Sequence, residues 1–313
     1  MSNKPWFRFG LSLLLLGAAL YVLRREIERT SLSELWMHAR AIPAQRLGLM
    51  LTIGAVNSLQ LTRYDVLALR YLRRTFPFPR VAFVSFIASV FARNVGPSVA
   101  SGGSVRYRFY SAWGLPVGEI AMLIGFLSLT LFVGFSAVSG LCFTFAADAI
   151  ATSLPGPSVG WRLLGGGLLA FCLAYLVLCA RQPTLTVRGR RFKPPSLQIA
   201  LNQALTSGVD WLAMAGMVTL LLPDDSVRYV EVLAIVLVAQ VAGVWSQVPG
   251  GIGVFEAIVV AALSSRFPIP VLFSTLLLYR CLYFFVPLAI ASTLLVGAET
   301  GELGEKTRER KRR

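Results

Sequence analysis

The chain has 313 residues, of which 56% are hydrophobic and 14% charged, against about one quarter charged in a soluble domain. That balance excludes an ordinary water-soluble enzyme. The formal net charge is +15, from 30 Lys and Arg against 15 Asp and Glu. The basic residues gather in loops and in the tail (Lys306, Arg308 and 310–313), where the positive-inside bias and anionic headgroups place them, so no nucleic acid is expected as a partner.

Apolar stretches long enough to cross a hydrocarbon core of about 30 Å recur along the chain. The first covers residues 6–23. Lys4 and Arg8 flank it, but no small-residue cleavage site follows before Arg24 and Arg25, so it reads as an uncleaved helix. Residues 24–46 mix Arg24, Arg25, Arg29, Arg40 and Arg46 with Glu26, Glu28, Glu34 and Trp36, which suits an amphipathic helix in the interface. The next stretch is 47–69. Segment 81–93 then runs into Asn94, Pro97, Gly102 and Gly103 before apolar character resumes at 105–113. Unbroken stretches follow at 116–146, 161–180 and 196–222. Segment 230–247 meets Pro249, Gly250, Gly251 and Gly253 and resumes at 254–263, and 270–297 is the last. Both interrupted segments read as helix, break, helix. The expected fold class is all-α integral membrane, with about eight apolar helical segments. One membrane domain spans 1–297, and a basic cytoplasmic tail spans 298–313.

Charge decides whether the interrupted segments cross or turn back. The basic loops 70–80 and 181–193 and the tail belong on the cytoplasmic side, and the loop with Asp224 and Asp225 and the region of Asp148 belong outside. Segment 81–113 must then enter and leave from the inside, and segment 230–265 from the outside. The result is two oppositely oriented re-entrant hairpins, each flanked by two crossing helices, in a transporter-like inverted repeat. The arginines of 24–46 fall on the outside in this scheme and fit it poorly.

Cys142, Cys172, Cys179 and Cys281 lie in or beside apolar runs with no paired spacing, so they read as small buried hydrophobes. With His38 the only histidine, metal ligation has little to draw on, and no metal or other cofactor is expected. Ionisable residues at membrane depth face a cavity or a partner. They are Arg63, Asp65, Arg93, Arg106, Arg108, Glu119, Asp210, Glu256 and Arg280. Arginines outnumber carboxylates, and a guanidinium fork suits phosphate, as does a helix N-terminus freed by a chain break. An anionic headgroup is the expected ligand. Arg63, Arg93 and Arg108 have the alternative of snorkelling or pairing with Asp65 and other acids, whereas Arg106 and Arg280 are the stronger ligands. Arg106 and Arg108 stand about 200° apart on a helix and cannot share one cavity; Arg106, three residues after Gly103 with Tyr110 one turn on, is the one expected to face it. Gly102, Gly103, Gly250 and Gly251, with Pro249, are read as unwound backbone lining that cavity, close helix packing being the alternative.

Three stretches, 102–116 (GGSVRYRFYSAWGLP), 246–256 (SQVPGGIGVFE) and 278–287 (LYRCLYFFVP), resemble the membrane domain family of lysylphosphatidylglycerol synthases. The resemblance covers nearly the whole chain, with the motifs in order. It implies a lipid-translocating domain of a bacterial cytoplasmic membrane and carries over to Gly102, Gly103, Arg106, Pro249, Gly250, Gly251, Glu256 and Arg280. The synthases continue into a soluble aminoacyl-transfer domain, whereas this chain ends in a short basic tail after Gly297, so lysyl transfer is not expected of it.

The expected function is that of a lipid flippase, a multi-pass protein moving an anionic or aminoacylated phospholipid, or a similar amphiphile, between leaflets. Substrate-binding residues would be Arg106, Arg280, Glu256, Arg63 and the break residues Gly102, Gly103, Pro249, Gly250 and Gly251. No G-x-x-x-x-G-K-S/T loop is present, so an ion or lipid gradient would drive transport. Membrane lipids are the expected partners, with a separate synthase or a second copy as further ones. The competing reading is a membrane-embedded enzyme, with Glu256 and Asp210 as acid and base, or a non-catalytic subunit serving an unlinked synthase; no nucleophile constellation favours the enzyme.

Overall fold

The computed structural model describes residues 42–298 apart from 96–97, 188–189, 224–225 and 247–248, with Met37 and Arg40 ahead of them. The expected first helix at 6–23, most of 24–46, the loop at Asp224 and Asp225, and the tail lie outside the described residues.

Proline and a serine cap set the helix starts. Helix α1 (Ala44–Tyr71) follows Pro43, α2 (Phe78–Asn94) follows Pro77, and α4 (Val117–Phe145) follows Pro116. Helix α3 (Ser98–Ala112) lies between the last two. The short α5 (Ala147–Ile150) precedes α6 (Ser158–Arg181), which follows Pro157. A fixed φ near −65° and no N–H make proline cheap at this place. Helix α7 (Leu197–Leu221) is capped by Ser196, whose hydroxyl accepts from the Ile199 N–H at 3.3 Å. Next come α8 (Tyr229–Trp245), a 3-10 turn (Pro249–Gly251) and α9 (Val254–Leu263). The last helix, α10 (Ile269–Ala298), follows Pro268 and widens into a π-turn at Cys281–Phe285. The basic loop after α6 holds an antiparallel pair of strands, β1 (Leu185–Val187) and β2 (Arg190–Phe192), an addition to the all-α expectation.

Helices α4, α6, α7 and α10 are long and apolar enough to cross a membrane. Helix α1 has the length, 28 residues or about 42 Å, but its buried face carries Asn57, Thr62, Tyr64 and Asp65. Those inward polar groups lower its hydropathy, so the expected crossing at 47–69 is a helix of mixed character.

Packing runs along these long helices. Gly134 of α4 faces Ser207 of α7, and Gly140 of α4 faces Gly165 and Leu169 of α6, so closely that a Cβ at any of the three glycines would overlap its neighbour; small residues let helix backbones approach in membranes. Two large apolar clusters form. One gathers Met50 of α1, Val138–Phe143 residues of α4, the buried faces of α7, α8 and α9, and the first half of α10; the other gathers Leu67–Leu69 residues of α1, α2, α3, Ile120 and Leu123 of α4 and Leu288–Leu295 residues of α10. Helices α1, α4 and α10 each contribute to both. Most polar side chains buried on α1 and α4 lie between those contributions.

The two expected breaks differ. The second is unwound as the sequence implies: Gly250, Gly251 and Gly253 have φ of 64°, 62° and 85°, a region L side chains avoid. At the first, α2 ends at Asn94 and α3 begins at Ser98, so Gly102 and Gly103 are helical. This corrects their reading as unwound backbone. A Cβ at Gly102 would stand 2.6 Å from the Ala88 carbonyl and 2.7 Å from Ala92 Cβ, so this glycine serves the close contact of α2 with α3.

Candidate functional site

The C-terminus of α2 touches the Pro249–Gly251 turn, and a Cβ at Gly250 would stand 3.5 Å from the Arg93 carbonyl and 3.7 Å from Arg280 Nη1. The ends of two interrupted segments therefore meet, and three arginines gather on this region, each joined to a carboxylate.

Arg93, at the end of α2, reaches Asp210 of α7 with both Nη2 contacts, 2.9 and 2.7 Å, and donates to the Tyr283 hydroxyl. Asp210 is saturated. It also accepts from Asn57 Nδ2 at 2.6 Å and from the Tyr64 hydroxyl at 3.1 Å. Arg106 of α3 makes a bidentate pair with Asp65 of α1, Nε to Oδ1 at 2.9 Å and Nη2 to Oδ2 at 2.8 Å, and donates to Ser89 Oγ at 3.0 Å. Asp65, fully buried, further accepts from Tyr110 at 3.0 Å and Ser85 at 2.6 Å. These two pairs border one cavity of about 160 Å³, lined by Tyr64, Ser89, Arg93, Gly103, Arg106 and Asp210, to which α4 adds Ser128 and Leu131, both exposed.

The third pair holds the second break together. Unwound backbone at membrane depth needs internal partners. Arg280 pairs with Glu256 and donates to the Gly250 carbonyl at 3.1 Å, while Glu256 accepts from the Gly253 N–H at 2.7 Å. One carbonyl and one N–H freed by the turn are thereby satisfied, and the carboxylate also lies favourably in the first turn of α9. Near the first break, Asn94 Nδ2 donates to the Val90 carbonyl at 2.9 Å, and Ser101 Oγ donates at 3.2 Å to the Phe91 carbonyl, which also accepts from the Val95 N–H at 2.9 Å.

Of the residues expected to bind substrate, Arg106 and Gly103 line the cavity, and Arg280, Glu256, Gly250 and Gly251 form the second break with Pro249. Gly102 lies at the α2–α3 contact. Arg63 does not join them: it is exposed on the outer face of α1. Arg106 and Arg108 do point differently, Arg106 to Asp65 and the buried Arg108 to the Phe109 ring, 5.2 Å from its centroid. The excess of arginine over carboxylate inferred from sequence is absent at the site, where Arg93, Arg106 and Arg280 face Asp210, Asp65 and Glu256 one to one. Asp210, Asp65 and Arg93, expected as ionisable residues at depth but not among the substrate-binding residues, are central to it. Asn57 is legible in the sequence as a neutral polar group at depth, but Tyr64 and Tyr283 were missed, although Tyr64 shares a helix face with Asn57, a spacing that marks a polar stripe on an apolar helix.

No family model matches the chain. Over 306 residues it is 31% identical to the protein slr0712 of Synechocystis, spanning 95% of this chain and 94% of that one. Over 252 residues it is 35% identical to the inner membrane protein YbhN of Escherichia coli, spanning 79% of this chain and 78% of YbhN. The chain belongs to the YbhN family. Beyond the YbhN family, a likeness of 26% over 277 residues extends to the phosphatidylglycerol lysyltransferase of Staphylococcus aureus; it takes in 87% of this chain but 32% of that enzyme. The resemblance seen in the three motifs is met at this level, as relatedness to part of a lysyltransferase. Kinship with an inner membrane protein and the four apolar helices together support a bacterial inner-membrane location.

Proposed function

We propose that the protein is a multi-pass flippase of the bacterial inner membrane, moving a phospholipid or similar amphiphile between leaflets. In this reading α2–α3 and α8–α9 are oppositely oriented re-entrant hairpins of an inverted repeat. The headgroup passes where their ends meet, and the acyl chains stay in lipid.

The observation that carries the reading is the set of three matched arginine–carboxylate pairs around the meeting of the two breaks. Buried ion pairs contribute little net stability compared with apolar packing, so three in one place call for a use. A guanidinium that leaves its carboxylate for a phosphate keeps its bidentate geometry. The carboxylate left behind needs a cation. A headgroup with both a phosphate and an ammonium would occupy both members of an opened pair, so an aminoacylated or zwitterionic phospholipid suits the balanced site better than a purely anionic one. The staphylococcal relative, a phosphatidylglycerol lysyltransferase by name, favours a phosphatidylglycerol-derived cargo. No covalent chemistry and no cofactor enter this proposal; membrane lipids are the partners.

The test is leaflet exchange in liposomes holding the purified protein, with fluorescent phosphatidylglycerol, its lysyl ester and phosphatidylethanolamine. Exchange without covalent change is the expected result. A new lipid species would favour the enzyme instead, and neither outcome would favour a subunit of a separate synthase.

A further inference from the structure

The arginines of the two breaks are joined through aromatic rings. Arg93 Cζ lies 5.4 Å from the centroid of the Tyr283 ring, and Tyr283 stacks on Tyr279 with centroids 5.6 Å apart and planes 21° from parallel. Tyr279 stacks on Phe255 at 6.1 Å and 25°, and Arg280 Cζ lies 5.9 Å from that third ring. The order Arg93, Tyr283, Tyr279, Phe255, Arg280 makes a ladder with a guanidinium at each end. Each end is held by a carboxylate from another helix, Asp210 of α7 or Glu256 of α9.

The middle rung is polar and unpaired. Tyr279 is 1% exposed, and its hydroxyl has no hydrogen-bond partner among the described residues. Such a group is costly and rare in native structures. Phenylalanine would fill the same space without that cost, as Phe255 does on the next rung. The other tyrosines of the site are all engaged: Tyr64 with Asp210, Tyr110 with Asp65, and Tyr283 with Arg93 and Asn57. Tyr279 also lies within electrostatic reach of Arg93, Arg280 and Asp210. An unused donor between two guanidiniums has the chemistry of an oxyanion subsite.

We infer that the Tyr279 hydroxyl binds the phosphate of a lipid headgroup on its way between Arg93 and Arg280. The inference rests on the transport reading. A phosphodiester offers two non-bridging oxygens, so it can hold a guanidinium and the phenol together. It passes from Arg93 with Tyr279 to Tyr279 with Arg280, never with fewer than two donors.

Tyr279→Phe tests this, because it keeps the ring stack and breaks no hydrogen bond of the resting protein. Its thermal midpoint in detergent should equal or exceed that of the wild type. Calorimetric affinity for dihexanoyl phosphatidylglycerol and phosphatidylethanolamine should fall about tenfold, the value of one hydrogen bond to a charged group, and leaflet exchange should slow with it. Unchanged affinity and exchange overturn the assignment and leave a trapped water as the hydroxyl's partner. Failure of the wild type to bind either lipid overturns it too. Inorganic phosphate binding as tightly as the lipids overturns the lipid as its source. If the wild type binds lipid but exchanges none, the transport reading fails alone, and the affinity comparison still decides whether Tyr279 touches phosphate.

Discussion

Gly251 and Gly243 meet backbone to backbone: a Cβ built on Gly251 would lie 3.0 Å from the Gly243 Cα. Gly250, one residue earlier, has a similar φ, 64° against 62°, but its Cβ would find nothing closer than 3.5 Å. Alanine at either position bears the left-handed penalty of roughly 1–2 kcal/mol, and only Gly251→Ala adds overpacking of about 1–3 kcal/mol. Thermal midpoints in detergent should therefore fall for both and further for Gly251→Ala. Valine at either position should also impair leaflet exchange.

Asp65→Asn leaves the Arg106 guanidinium buried with its main partner neutralised, which should cost about 3–5 kcal/mol. The double variant Asp65→Asn with Arg106→Gln should be less destabilised than the sum of the singles, by on the order of 1–3 kcal/mol. An additive result in chemical unfolding would contradict the pairing. In exchange assays Arg106→Lys, which loses the fork, should lose most activity, and Arg108→Lys little.

One ion pair per interrupted segment, Arg74 with Glu119 and Glu231 with Arg266, links the chain at its start to the chain beyond it. Arg74 and Glu119 bind at 2.7 Å with side chains 48% and 27% exposed; Glu231 is 4% exposed between Arg228 and Arg266. Glu119→Gln should cost under about 1 kcal/mol, and added salt should remove the effect. Glu231→Gln should cost about 1–3 kcal/mol, and salt should remove less of it. Urea unfolding at two ionic strengths gives both numbers.

The inverted arrangement has its own test. In a background without Cys142, Cys172, Cys179 and Cys281, single cysteines at Pro77 and Gly189 should label from the cytoplasmic side, and one at Asp224 from the opposite side. Labelling of Pro77 and Asp224 from one side would refute the two-hairpin topology.

Helix positions were legible because long apolar runs bounded by proline leave few alternatives: the stretches at 116–146 and 270–297 match Val117–Phe145 and Ile269–Ala298 closely. The second break was legible from Pro-Gly-Gly. The first was displaced, because a glycine that allows a turn and one that allows two helices to touch look alike in one dimension. The ion pairs were not legible. Arg106 and Asp65 are 41 residues apart, and Arg93 and Asp210 are 117 apart, so no local spacing announces them. Only the rarity of charge at depth pointed to the right residues, without their partners.

The π-turn of α10 has a mechanical consequence. Before it, the helix packs in the cluster that holds α8 and α9; after it, Leu288, Ala291 and Leu295 pack in the cluster that holds α2 and α3. The two clusters are threaded on one rod, and any tilt of one against the other must bend that rod. Its weakest place is the wide turn at Cys281–Phe285, where the regular hydrogen-bond ladder is interrupted. Tyr283 lies inside that turn and Tyr279 just before it, so a hinge there would slide one ring across the other, and the spacing of the two guanidiniums would change with the bend.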